Sequence, residues 1–215
     1  GFKALGGRPL GVKLAPYFDV PHFQRAADVI NGFPEVRFVV CTNTIGNALV
    51  VDGEHEMACI SPKEGFGGLG GGFVKAVALA NVRMLSKLLR ADVDVVGVGG
   101  VKCGMDAFEL LLCGAKAVQV GTTHWSEGAK CFDRIAGELE DILKRKGYSD
   151  VSQVIGKLKP YKRPTDAAGA KRAVAAPAPA KGGGNESFLQ AVIAALALLV
   201  ALLLARDQGL IRAKL

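Results

Sequence analysis

Along the first 156 positions the apolar residues fall in blocks with two alternating spacings. Continuous runs at residues 10–14, 36–41, 93–98 and 117–120 have the length and Val/Leu/Ile content of strands buried on both faces. Between them, residues 21–33 place Phe23, Ala26, Ala27 and Ile30 on one helical stripe, and residues 73–90 do the same with Val77, Ala80, Val82 and Leu85. Residues 105–113 and 128–146 predict two more helices, and the stretch from about 42 to 72 predicts a long loop. Strand followed by helix, four times over, predicts an α/β fold with a parallel sheet covered by helices. On periodicity alone a doubly wound sheet fits four such units as well as half of an eight-unit barrel does.

The pattern changes after Gly156. Residues 160–187 are dominated by Ala, Pro, Gly and Lys, with too little apolar bulk to fold alone, and predict an extended linker. Residues 188–205 are 18 in a row with a single polar side chain, Gln190. As a helix they would be roughly 27 Å long, close to the ~30 Å hydrocarbon thickness of a bilayer. A buried core helix normally keeps a polar face and this one has none, so the expectation is a single transmembrane helix followed by a short polar, basic tail at 206–215. Basic residues flank both ends, which leaves the orientation open. No secretory leader is visible, and a start at Gly1 reads as a processed product or as part of a longer gene.

Charge follows the same division. The 27 basic and 20 acidic residues give a net +7, yet the first 156 positions hold 17 of each sign, so the whole excess lies in the tail. A nucleic-acid-binding domain would carry it on its folded body. The expectation is therefore no nucleic acid and contact with a lipid bilayer. Hydrophobic residues at 50% exclude a disordered chain. Five cysteines lack any C-x-x-C spacing and the three histidines are scattered, which fits buried thiols in a reducing compartment and no zinc site.

Candidate chemistry gathers where strands end. Glycines at 65, 67, 68 and 70–72 precede the second helix, Gly97, Gly99 and Gly100 close the third strand, and Gly121-Thr122 closes the fourth. Each sets bare backbone at the carboxyl end of a parallel strand, where α/β ligand sites form, and free N–H groups there suit a phosphate. Glycines also serve ordinary tight turns. Two turns of the Gly-Gly and Gly-Thr type, 22 residues apart, match a flavin-phosphate grip better. Lys13 lies mid-strand among apolar residues, where a charge is costly unless paired; it either faces a site or reaches solvent. Asn43, with Thr44 beside it, ends the second strand. Its amide offers donor and acceptor to a planar imide ring, or else caps a turn.

Taken together, several segments resemble dihydroorotate dehydrogenase, most closely the fumarate-linked class. They are Pro9-Leu-Gly-Val-Lys-Leu14, Pro16-Tyr-Phe-Asp19, Asn43-Thr-Ile-Gly-Asn47, Pro62-Lys-Glu-Gly-Phe-Gly-Gly-Leu-Gly-Gly71, Ala78-Leu-Ala-Asn-Val82, Gly99-Gly-Val101 with Asp106-Ala-Phe-Glu109, Leu112-Cys-Gly-Ala115 and Gln119-Val-Gly-Thr122. The resemblance runs in order from about Arg8 to Leu158. It implies the C-terminal half of a TIM-type (βα)8 barrel over residues 1–159, holding FMN at the strand ends and acting on dihydroorotate. By the same resemblance Lys13 would lie against the flavin ring, Asn43 would contact the pyrimidine, and Thr44 stands where the family usually has Ser. Gly71, Gly99, Gly100, Gly121 and Thr122 would line the ring edge, ribityl chain and phosphate.

Three departures accompany the resemblance. The family's first four β–α units have no counterpart here. Its catalytic cysteine loop, which should precede the strand at Leu10, is absent, and Cys41 is not that base. Linker and membrane helix are additions. Four strands leave two sheet edges unpaired, so protein subunits of a membrane complex are expected to cover them. The missing half and the anchor favour a membrane-anchored accessory subunit of a large assembly, such as a respiratory complex of the mitochondrial inner membrane, without catalysis of its own. The alternative is the C-terminal FMN-binding half of an active dihydroorotate dehydrogenase, with the cysteine supplied by another chain.

Overall fold

In the computed structural model, residues 6 and 8–161 are described. In chain order they form β1 (Leu10–Lys13), α1 (Val20–Asn31), β2 (Val36–Cys41), β3 (Ile45–Leu49), β4 (Val51–Asp52), β5 (Met57–Ala58), β6 (Phe66–Leu69), α2 (Lys75–Leu88), β7 (Asp94–Val98), α3 (Gly104–Cys113), β8 (Ala117–Gln119), α4 (Thr122–Glu127) and α5 (Lys130–Lys146). Four strands make one parallel sheet in the order β1-β2-β7-β8. The spatial order never reverses along the chain, and the helices pack on one face only, in a core uniting Phe23, Ala27, Leu85, Leu110 and Ile135 with Val39, Cys41 and Val95 of the sheet. That is the winding of a barrel wall; a doubly wound sheet would reverse its order and carry helices on both faces. The edge strands are β1 and β8, the two that the sequence places outermost.

Each helix has a local reason to start and stop. Asp19 caps α1, accepting from the His22 N–H at 2.9 Å, with Pro21 in the first turn. At the start of α3 the Asp106 carboxylate accepts the Lys102 and Cys103 N–H groups at 2.8 and 3.1 Å. Its far end is Gly114 at φ 118, pressed against Ser86 so closely that a side chain there would strike the Ser86 hydroxyl. The last turn of α5 carries Lys144, Arg145 and Lys146, which suit its carbonyl end.

Two expectations need correction. The stretch between β2 and α2 is not a plain loop: β3 pairs antiparallel with β6, and β4 with β5. Glycine-rich Phe66-Gly-Gly-Leu69 hides its strand character, because glycine has low strand propensity and no side chain to show alternation. The second helix opens with a tight 3₁₀ turn at Gly71–Val74 before α2 proper, and the short α4 escapes the sequence pattern altogether. The expected linker at 160–187, transmembrane helix at 188–205 and tail at 206–215 fall outside the described residues, Pro160 and Tyr161 excepted. Among the described residues no helix is long and apolar enough to cross a membrane.

Candidate functional site

Burial alternates sharply along the parallel strands. Val39, Cys41, Val95 and Gly97 point into the helical layer and are buried, whereas Phe38, Val40, Val96 and Val98 on the other face are only partly covered. The Phe38 ring fills the space over Gly11, so that glycine is required by its neighbour. Above this face, at the carboxyl ends of the strands, lies a cavity of about 400 Å³. All eight residues named from the sequence line it. Lys13 ends β1, Asn43 and Thr44 follow β2, Gly71 precedes α2, Gly99 and Gly100 follow β7, and Gly121 and Thr122 follow β8.

The glycines are not equivalent. Gly99 and Gly100 have φ of 134° and 74°, and a Cβ on them would sit 2.8 Å from the Ala78 Cβ and 2.6 Å from the Lys75 Cβ. Packing against α2 therefore accounts for both without any ligand. Gly121 differs: its φ is negative and a Cβ there would meet nothing within 4 Å. Among the described residues neither a positive φ nor a neighbour demands glycine there, so the rim at Gly121 is open toward the cavity. Lys13, the free amide of Asn43 and this cradle fit a flavin mononucleotide.

Two networks hold the walls. Lys75 on α2 donates to Asp106 and to Glu109 (2.7 Å) on α3, fixing the loop Gly99–Lys102 between the two helices. Burial pushes the Asp106 carboxyl up, but the Lys75 ammonium and the Lys102 and Cys103 donors outweigh it and hold the group below its ordinary value. Burial likewise works against the charged Lys75, and its bonds to Asp106 and Glu109 prevail and raise it. Thr123, at the start of α4, donates its hydroxyl to the Val101 carbonyl at 2.6 Å. Asn81, 1% exposed on α2, accepts the Tyr17 N–H at 2.8 Å and donates to the Tyr17 carbonyl at 3.0 Å, which ties the loop after β1 to the helix.

At the end of β2, Asn43 uses its Oδ1 to accept the Thr44 N–H at 3.0 Å, leaving its NH₂ without a partner among the described residues. Thr44 occupies the space that a side chain on Gly68 would need. Cys41 is fully buried; desolvation pushes its thiol up to about 12, despite the pull of nearby Lys13. It is no thiolate at neutral pH and therefore no nucleophile or base. The sequence reading missed Lys102, Thr123 and Glu127 in the lining. Lys102 directly follows Gly99-Gly-Val101 and Thr123 directly follows Gly121-Thr122, so adjacency to those motifs was the available signal.

A family model described as dihydroorotate dehydrogenase matches residues 2–143. The probable dihydroorotate dehydrogenase A (fumarate) of Enterococcus faecalis is 50% identical over 152 residues, which cover 71% of this chain and 49% of that protein. The dihydroorotate dehydrogenase (fumarate) of Saccharomyces mikatae is 52% identical over 151 residues, 70% of this chain and 48% of that one. The chain thus spans about half the length of the curated relatives it matches. A crystal structure of DHODH from Eimeria tenella in complex with ferulenol superposes with a TM-score of 0.57 at 28% identity, covering 69% of this chain and 38% of that chain.

Proposed function

The chain belongs to the dihydroorotate dehydrogenase family, and on that premise we propose that it is the FMN-binding, C-terminal half of an enzyme that oxidises dihydroorotate to orotate in pyrimidine biosynthesis. The observation that carries this reading is the convergence of all eight candidate residues on one cavity at the strand ends, with no described residue near enough to require glycine at 121. FMN, when bound, supplies the acceptor for the two electrons that leave the substrate. Lys13 offers a cation to the electron-rich ring, and the glycine loops after β7 and β8 offer main-chain N–H groups to its phosphorylated arm. The free NH₂ of Asn43 orients the pyrimidine by donating to a ring carbonyl.

One task is left to another segment. Taking the substrate's proton needs a base within hydrogen-bond reach, and buried Cys41 cannot serve. The base, by the family resemblance a cysteine, enters with a complementary half barrel. That half also covers the partly open face of Phe38, Val40, Val96 and Val98 and pairs with the edges β1 and β8. The accessory-subunit role draws no support from the relatives, which are named as enzymes. Attachment to a membrane through residues 188–205 is kept as a proposal on their unbroken apolar run; sedimentation with membranes after carbonate washing is the expected result, and release into the wash overturns it.

The test of the catalytic reading is orotate formation by the full chain combined with the half that completes the barrel. Dihydroorotate-dependent turnover that falls at least about a hundredfold in Asn43→Ala is expected. Flavin bound in the completed assembly with no orotate produced would overturn the assignment.

A further inference from the structure

Three ionisable side chains line the cavity, and the resemblance accounts for only one of them, Lys13; the others are Lys102 and Glu127. Lys13 ends β1 at one edge of the sheet, while Lys102 lies beyond β7, next to the loop of β8 at the other. Three strand spacings, roughly 14 Å, separate those edges. The Lys102 Nζ lies 2.9 Å from where a Cβ on Gly72 would sit. Its ammonium, on an exposed side chain, therefore hangs over the bare backbone at Gly72 that leads into α2.

The electrostatics around it are one-sided. Among the described residues Lys102, like Lys13, has no carboxylate partner within 4 Å, whereas Lys75 and Arg134 in the walls around it have two each. Glu127, the one acid in the lining, is taken by Arg134, whose Nη2 donates to its two oxygens at 2.9 and 2.7 Å and whose Nε donates at 3.0 Å. The same Nη2 donates to the Lys102 carbonyl at 2.9 Å, and Thr123 holds the preceding carbonyl of Val101. Main chain is clamped on both sides of Lys102, the neighbouring acid is neutralised, and the ammonium is left unpaired. An anion entering from the cavity meets a compact cation and no opposing charge.

We propose that Lys102 is a side-chain ligand of the phosphate of the bound flavin and sets this chain's preference for FMN over the unphosphorylated flavin, with Arg134 as the positioning residue that holds it. The proposal rests on the flavin reading of the cavity. The test is titration of the full chain, combined with the half that completes the barrel, with FMN and, separately, with riboflavin, followed by flavin fluorescence. Wild type is expected to bind FMN more tightly. In Lys102→Met that preference drops about tenfold with riboflavin affinity unchanged, and Lys102→Arg keeps it within about threefold. Arg134→Leu, which frees the Glu127 charge, also lowers FMN affinity more than riboflavin affinity. An unchanged preference in Lys102→Met, or equal losses for the two flavins, overturns the assignment of Lys102 while leaving the flavin site standing. Binding of neither flavin by wild type overturns the flavin reading and this inference with it.

Discussion

The two faces of the four-stranded sheet are made of the same kinds of residue and fare differently. Val39 and Cys41 are wholly buried and Val95 is 3% exposed beneath the helices. Phe38, Val40, Val96 and Val98, their immediate neighbours along the same strands, remain partly open. Identity of side chain does not separate the two sets; only what lies over them does. Parallel sheets carry apolar cover on both faces, so the second face is composed for cover that residues 8–161 do not supply. One face holds the core, and the cavity forms at the strand ends, where Val98 of the other face meets the loops.

The sharpest way to break the comparison is a cavity on each side. Leu110→Ala, on α3 within the core between helices and sheet at 1% exposure, should cost about 2–5 kcal/mol in urea denaturation of the full chain. A loss below about 1 kcal/mol would mean that the helical layer is not the core. The glycines divide along the same line. Gly100→Ala places a side chain against Lys75 at positive φ and should lose about 1–3 kcal/mol of stability. Gly121→Val should leave the melting temperature unchanged and weaken FMN binding about tenfold or more.

Lys75→Met removes the ammonium from Asp106 and Glu109 and should cost about 1–2 kcal/mol, the pair being partly open to solvent. The pH dependence has a definite sign. Asp106 titrates below its ordinary 3.8 in the folded chain, so its stabilisation is complete above about pH 4 and lost as pH falls through the folded value. Lys75 titrates above its ordinary 10.5, so its share is complete below that value and lost as pH rises past it. Asp106→Asn should flatten the acid limb of stability against pH; an unaltered limb would contradict the pairing. The smallest effect belongs to the open face. Val40→Ala should cost under about 1 kcal/mol in this chain alone, less than Val39→Ala, and the gap should narrow when the complementary half is bound.

Strand positions were legible because four apolar runs are long and bounded by Gly, Pro or Asn. The barrel-type winding was not, since the same periodicity suits either α/β topology; it takes the unreversed order β1-β2-β7-β8 to decide. The pairing of β3 with β6 stayed hidden behind glycines, one of which, Gly68, leaves the space that the Thr44 side chain occupies. In the site, residues that end strands could be picked out by position. Lys102 was signalled only by following Gly99-Gly-Val101, and Glu127 by nothing local, because its pairing with Arg134 and the Arg134 bond to the Lys102 carbonyl, across 32 positions of sequence, are made by the fold.

The most direct measurement is the absorbance spectrum of the intact chain isolated from its native source together with whatever covers its open face. One equivalent of flavin, bleached by dihydroorotate under anaerobic conditions, is the predicted result. A colourless complex in which the rim at Gly121 is filled by a partner's side chain would contradict the account.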